Sequence, residues 1–211
     1  MGSKVAICTP MHGDAKAGFV DSLAGLLLAG TRAGHELRFC RCASSSVVRA
    51  RTELVRVALD WGADHLLWLD SDQTFPTNTL TRLLAIGRPI VGCNISTRTE
   101  PLRPTARDKR DQLVFTRADQ AERGLVEEVG YLGFGVMLTA AELFRKLPQP
   151  WFLMPNEGGT ILGEDYYFCR QARAAGYAVF VDHGLSAKVG HIGEKVFMID
   201  DVLPQTSPPT G

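Results

Sequence analysis

No stretch of this chain is long and apolar enough to span a bilayer. The longest greasy run, Leu23 to Ala29, falls far short of the roughly 20 residues that a membrane helix needs. Neither sign of charge dominates: Lys plus Arg and Asp plus Glu both number 23, so no global field draws the chain to nucleic acid or to an anionic membrane. Any basic function therefore has to be local. Cysteine is sparse and unpaired in pattern. Cys8, Cys40, Cys42, Cys93 and Cys169 are odd in number and scattered, and the C-x-C at Cys40 and Cys42 has no second pair at zinc-finger spacing. That speaks against a structural zinc site and for reduced thiols in apolar settings. No apolar leader precedes the first strand pattern, and Met1-Gly2-Ser3-Lys4-Val5-Ala6 has Ala where a myristoylation signal takes Ser or Thr. The expectation is a reduced, cytoplasmic protein with no transmembrane segment and no nucleic-acid partner.

What is present is an alternation of strand and helix. At 211 residues with 45% hydrophobic content the chain can bury one sizeable core. Val5-Ala6-Ile7-Cys8 reads as a strand ended by Thr9-Pro10, and Phe19 to Leu28 as a helix closing near Gly30. Glu36 to Cys42 and Ser46 to Trp61 form a second such pair. His65 to Leu69 and Thr77 to Ile86 form a third, before a strand at Pro89 to Cys93. Short apolar runs joined by helices predict a mostly parallel sheet covered on both faces. Ligands of such sheets bind beyond the carboxyl ends of the strands, which places the working edge at Thr9-Pro10, Asp70-Ser71-Asp72 and Asn94.

The second half differs. Arg98 to Arg110 carries five basic residues and two prolines with little hydrophobic pattern, and reads as a solvated loop, whose basic residues, Lys109 and Arg110 first, are the candidates to close over phosphates. Leu113 to Phe115 and Val126 to Leu138 suggest strands of a mixed or antiparallel part, followed by a helix over Ala140 to Leu147. Asp165 to Ala175 is a helix ended by Gly176, and Tyr177 to Val181 a strand. Residues 203–211 hold three prolines and form a tail. One domain over residues 1–202 is the economical division.

Four features carry candidate chemistry. Asp70 and Asp72, two residues apart in extended chain at the end of a buried strand, point the same way and repel unless a cation lies near them. Oxygen ligands at such an edge suit Mg²⁺ or Mn²⁺; taken alone, Asp-Ser-Asp equally fits an ordinary turn. Arg51 falls in the apolar stripe of its helix with Val47, Leu54, Val55 and Ala58, so it needs an anion, either a structural carboxylate or a ligand phosphate. Glu164 and Asp165 open the late helix, where acidic residues also serve the helix dipole. Asp165 shares a face with Phe168, Cys169 and Ala172, which favours it over Glu164 as a general base. His191, between Gly190 and Gly193, is a candidate imidazole ligand, with His183 as the competing histidine.

These pieces, in this order, resemble the GT-A glycosyltransferases, in particular short family-2-like enzymes of bacteria and phages. The matching segments are Lys4 to Pro10, Ala50 to Leu54, Leu66 to Asp72, Gly133 to Leu138, and Gly163 to Arg170 continuing to His191. The resemblance implies a single GT-A (Rossmann-like) α/β domain. It implies a metal-dependent transferase that moves one sugar from a nucleoside-diphosphate sugar, a UDP-sugar foremost, to an acceptor hydroxyl. By the same resemblance Thr9 and Pro10 lie against the nucleobase, Arg51 near base or diphosphate, and Asp70 and Ser71 at the nucleotide. Asp72 and His191 hold Mn²⁺ or Mg²⁺, and Asp165, with Glu164 beside it, takes the acceptor proton in an inverting reaction. The chain departs from the pattern at the end of its first strand, where Thr9-Pro10-Met11-His12 stands in place of the Thr-Tyr-Asn or Thr-Arg-Asn often seen in that family. It also lacks the Q-x-x-R-W motif of processive synthases, which points to single-sugar transfer.

Two rival readings remain at this stage. Leu67 to Thr74 also fits the opening of a haloacid-dehalogenase-like phosphatase, with Asp70 as nucleophile and Glu164-Asp165 or Asp200-Asp201 as late metal ligands. That motif usually opens its domain's first strand, whereas here two strand–helix units precede it. The other rival is a non-catalytic protein that binds nucleotide sugars.

Overall fold

The apolar runs of the first half form strands without alternation because both faces of the sheet they build are covered. The computed structural model describes residues 2–98 and 101–193, so Asp200-Asp201 and the tail at 203–211 lie outside the described residues. The chain begins β1 (Lys4–Met11), α1 (Ala17–Arg32), β2 (Glu36–Ala43), α2 (Val47–Asp60), β3 (His65–Leu69). Helix α2 starts where Ser46 accepts the Arg49 backbone N–H at 3.4 Å, an N-cap that satisfies one of the free donors of the first turn. Next come β4 (Gln73–Thr74), α3 (Thr79–Ile86) and β5 (Ile90–Gly92). Gly87 ends α3 in the left-handed region, with φ 66°.

The second half supplies α4 (Ala118–Glu122), β6 (Val126–Val129), β7 (Val136–Ala140) and α5 (Ala141–Lys146). It continues through β8 (Asn156–Glu157), β9 (Thr160–Ile161), α6 (Glu164–Ala174), β10 (Val179–Asp182), α7 (His183–Ser186) and β11 (Gly190–His191).

The central sheet runs β2-β1-β3-β7-β5-β10-β6. Strands β2, β1 and β3 are mutually parallel, as are β5 and β10, while β7 and β6 run against their neighbours. Period-two alternation sends side chains to two separate cores. Ala6, Cys8, Leu66 and Trp68 face α2, α5 and α6, where Leu54, Val55, Phe144, Phe168 and Ala172 cover them. Val5, Ile7, Leu67 and Leu69 face the other way, onto Phe19, Leu26, Leu80 and Leu83 of α1 and α3. Gly92 belongs where β5 meets β7, since a Cβ there would lie 2.5 Å from the Val136 carbonyl oxygen. Burial raises the thiol pKa of Cys8, Cys40 and Cys93, and holds Cys169 at about 12, so these side chains act as small hydrophobes. Among the described residues no helix is long and apolar enough to cross a membrane.

Two features of the second half go beyond the sequence reading of its strands. The antiparallel β7, contributed by the second half, lies inside the sheet, between β3 and β5. The expected strand at Leu113 to Phe115 is reduced to an isolated bridge between Leu113 and Arg107. Asn94 explains the second difference. Its side-chain carbonyl accepts the Ala106 N–H at 3.0 Å and its amide donates to the Val114 carbonyl at 2.7 Å, so it takes backbone groups that a ladder would have used.

Trp68 anchors the larger core. It is fully buried, meets Phe134, Phe144 and Phe152 edge-on at 5.2, 6.1 and 5.8 Å, and donates its indole N–H to Thr139 Oγ1 at 3.0 Å. Trp68→Ala should cost about 3–5 kcal/mol in a urea unfolding titration, the range for removing a buried aromatic side chain. A loss under about 1 kcal/mol would show that the aromatic cluster collapses around the gap.

Candidate functional site

The chain leaves β1 through α1 on one face and returns from β2 to β3 through α2 on the other. The strand order therefore reverses between β1 and β3, and the diverging connections open a crevice beyond their carboxyl ends. That crevice is a cleft of about 710 Å³. Pro10, Met11 and His12 line it from β1, Ser44 to Ser46 from the β2–α2 turn, and Ala50 and Arg51 from α2. Asp70, Ser71 and Asp72 line it from the end of β3, with Arg98, Met154 and His191 arriving from later in the chain.

Asp72 sits at the meeting point of three elements. Its backbone carbonyl accepts the Ile192 N–H at 2.8 Å, and His191 pairs with Gln73 in the two-stranded ribbon of β4 and β11. This ribbon brings His191 Nε2 to 3.4 Å from Asp72 Oδ2. On the far side of the ring, His191 Nδ1 lies 2.8 Å from the Ser96 carbonyl oxygen. A carbonyl only accepts, so Nδ1 carries a proton and the ring is held with Nε2 toward the carboxylate. Arg98 Nη1 reaches the same Oδ2 at 2.8 Å, while Gln73 Nε2 donates to Oδ1 at 3.4 Å. Burial tends to raise the Asp72 pKa, but the His191 hydrogen bond, the His191 charge and the Arg98 charge outweigh it, and the group is held low.

Arg51 joins the cleft to α6. Its Nη2 lies 3.2 Å from Asp70 Oδ1 and its Nε 3.0 Å from Glu164 Oε1, with only 4% of the side chain exposed. The guanidinium rests on the Phe134 ring at 4.7 Å from the centroid. Nη1 is buried with no hydrogen-bond partner among the described residues. The anion that the inward Arg51 requires is thus supplied by two structural carboxylates. Burial raises the pKa of both Glu164 and Asp70, with Arg51 pulling each back.

The sequence placed Asp165 inward and Glu164 to its side; in the structure Glu164 is the buried member of the pair and Asp165 is half-buried. The stripe through Phe168, projected back one turn, takes in both residues, and Arg51 draws Glu164 under. Asp165 Oδ2 accepts the Tyr131 hydroxyl at 2.7 Å and Oδ1 accepts the Tyr166 N–H at 2.8 Å. Burial, then the Asp165 charge, raises the Tyr131 pKa, so that hydroxyl remains a donor.

The predicted residues do not all reach one place. Pro10, Arg51, Asp70, Ser71, Asp72 and His191 line the cleft, whereas Thr9 is fully buried with a hydroxyl that has no partner among the described residues. Glu164 stands behind Arg51 and Asp165 is bonded to Tyr131, and neither is among the lining residues. Asn94 turns inward to staple the 94–116 segment, and His183 is buried between Thr116 and Glu127. Sequence reasoning singled out neither Arg98, read only as one of the basic residues of the Arg98–Arg110 loop, nor Gln73, Tyr131 and His12. The first two carry no local pattern that ties them to Asp72; only the pairing of β4 with β11 and the return of residue 98 do so.

No family model and no curated protein matches the chain. Solved structures do. The chain is similar to protein A197 from STIV, at TM-score 0.60 and 18% identity over 90% of this chain and 85% of that one. It is similar to GalNAc-T7, solved with UDP, GalNAc and Mn²⁺, at TM-score 0.61 and 12% identity over 92% of this chain. It is also similar to the mannosyltransferase PcManGT from Pyrobaculum calidifontis, solved with GDP-Man and Mn²⁺, at TM-score 0.50 and 12% identity over 87% of this chain. The chain spans 44% of the GalNAc-T7 chain and 57% of the mannosyltransferase chain. At these identities the likeness is one of fold.

The Arg51 arrangement has a measurable consequence. Glu164 has a folded pKa above its ordinary 4.5, so its contribution to stability is full below that value and is lost as pH rises through the folded pKa. Arg51→Met removes the charge that opposes the rise. The variant should be less stable than the native protein by about 3–5 kcal/mol at pH 8, the cost of stranding a buried charge, with the gap narrowing toward pH 4. Urea titrations at the two pH values check this; a gap independent of pH would assign the loss to packing.

Proposed function

We propose that this chain, which has the GT-A fold, transfers one sugar from a nucleoside-diphosphate sugar to an acceptor hydroxyl with inversion at the anomeric carbon. The observation that carries this reading is the convergence of Asp72 and His191, distant in sequence, at the mouth of a cleft of about 710 Å³ on the β1–β3 switch point. The solved complexes of GalNAc-T7 and the mannosyltransferase with nucleotides and Mn²⁺ support the same kind of donor and cation.

The donor set suits Mn²⁺ or Mg²⁺. Among the described residues no group of three His, Cys, Asp or Glu side chains is gathered to hold a metal unaided. A carboxylate and an imidazole that leave the remaining positions to phosphate oxygens and water are typical of ions delivered with a nucleotide. Asp72 Oδ2 and His191 Nε2 are the two groups assigned to it, with the His191 tautomer fixed by Ser96 as metal-binding histidines commonly require. When bound, the cation stabilises charge on the departing nucleoside diphosphate.

The chain's own residues do the rest. Pro10 offers an apolar wall to the base, and Ser71 and Asp70 lie at the nucleotide. Arg51, bonded to Glu164 through Nε and to Asp70 through Nη2, holds the Asp70 carboxylate in place. Glu164 is committed to Arg51, which leaves Asp165 as the general base. Tyr131 and the Tyr166 N–H fix the orientation of that carboxylate. As the acceptor oxygen bonds to the anomeric carbon, the bond from that carbon to the β-phosphate oxygen breaks and the acceptor proton passes to Asp165.

The test is a panel of UDP-, GDP-, CMP- and dTDP-sugars with Mn²⁺, run beside a generic phosphomonoester. Asp72→Ala should abolish metal-dependent nucleotide binding. Asp165→Asn should keep that binding and lower transfer by about 10²–10⁴-fold, the usual contribution of a general base. Phosphomonoester turnover without nucleotide-sugar binding would overturn the reading in favour of Asp70 as a phosphatase nucleophile. Full activity of Asp165→Asn would remove Asp165 from the role.

A further inference from the structure

Arg98 engages the very oxygen that the cation is assigned to use. Its Nη1 lies 2.8 Å from Asp72 Oδ2, the atom that also faces His191 Nε2 at 3.4 Å. The other carboxylate oxygen, Oδ1, is taken by Gln73. A divalent ion entering between Asp72 and His191 therefore meets a guanidinium already on Oδ2, and like charges at that separation repel.

The backbone that carries Arg98 is anchored close by. Ser96 bridges Pro104, and its carbonyl holds the His191 ring. Thr97 N–H donates to the Arg103 carbonyl at 2.8 Å, and Arg103 N–H returns a bond to Thr97 Oγ1 at 3.0 Å. The Arg98 side chain itself is 49% exposed and can leave Asp72 by turning about its own bonds. It borders both the main cleft and an adjoining cavity of about 580 Å³ that His12, Lys16, Ser71 and Asp72 also line. A planar guanidinium fork beside such a cavity matches phosphate oxygens better than a single ammonium does.

We propose that Arg98 is a tethered counter-cation: it holds Asp72 while no cation is bound, yields that oxygen to the divalent ion, and moves onto the diphosphate that arrives with it. This rests on the transferase reading and adds to it an exchange built into the chain. Arg98 is then a positioning residue with opposite effects on two ligands. It competes with the metal alone and cooperates with the nucleotide. A purely structural ion pair has no reason to do both.

The experiment measures Mn²⁺ alone by titration calorimetry and electron paramagnetic resonance, then UDP and GDP at saturating Mn²⁺, for the native protein, Arg98→Ala and Arg98→Lys. Urea titration of each variant establishes that it is folded. Arg98→Ala should bind Mn²⁺ alone about three- to ten-fold more tightly, in keeping with loss of a partly exposed competing ion pair. It should bind the favoured nucleoside diphosphate about three- to ten-fold more weakly, and Arg98→Lys should fall between on both counts. Unchanged or weaker Mn²⁺ binding by Arg98→Ala overturns the exchange, and unchanged nucleotide binding overturns the second contact. A native protein that binds Mn²⁺ neither alone nor with nucleotide overturns the transferase reading itself, and the exchange with it.

Discussion

The buried Arg51 guanidinium sets the arrangement of the site. It is withdrawn from water, pressed on Phe134, and neutralised by carboxylates from two distant parts of the chain, Asp70 after β3 and Glu164 at the start of α6. Taking such a charge out of water is costly, so the three elements that supply it and its partners must stay together. One consequence is division of labour between neighbouring acids. Glu164 is consumed by Arg51, and Asp165, one residue on, is left to a phenol and a backbone N–H. The raised pKa values of Glu164 and Asp70 record the tension between burial and that attraction.

The second constraint is topological. Strand order reverses between β1 and β3, and the connections on opposite faces leave a crevice that the strand ends cannot fill. Two short devices then furnish it. The β4–β11 ribbon carries His191 to Asp72, and the bridge at Ser96 carries Arg98 to the same carboxylate. Neither ribbon nor bridge contributes much to the core. Their effect is to aim side chains, with Gln73 and the Ser96 carbonyl fixing how Asp72 and His191 face each other.

Much of the scaffold was legible because it is repetitive. His65 to Leu69 matched its strand to the residue, and the helix before it began at the Ser46 cap, since buried runs and capping residues are local signals. The inward Arg51 could be read from helical spacing, though its two partners could not. The two-residue strands β4, β8, β9 and β11 have no period to detect, and α4 and α7 span five and four residues. At Leu113 to Phe115 the local apolar signal was real but lost to Asn94, whose side chain captured the backbone groups on either side.

By itself the sequence determined the alternating α/β plan, the two carboxylates at the end of the third strand, and the need of an inward arginine for an anion. Each follows from periodicity or from the cost of burying charge, which act over a few residues. Only the tertiary structure decided that β7 would lie in the middle of the sheet and that Glu164, not Asp165, would meet Arg51. It alone placed His191 and Arg98 on one oxygen of Asp72. Those outcomes depend on which distant segments are brought within hydrogen-bonding range, and that information resides in the packing of the whole chain.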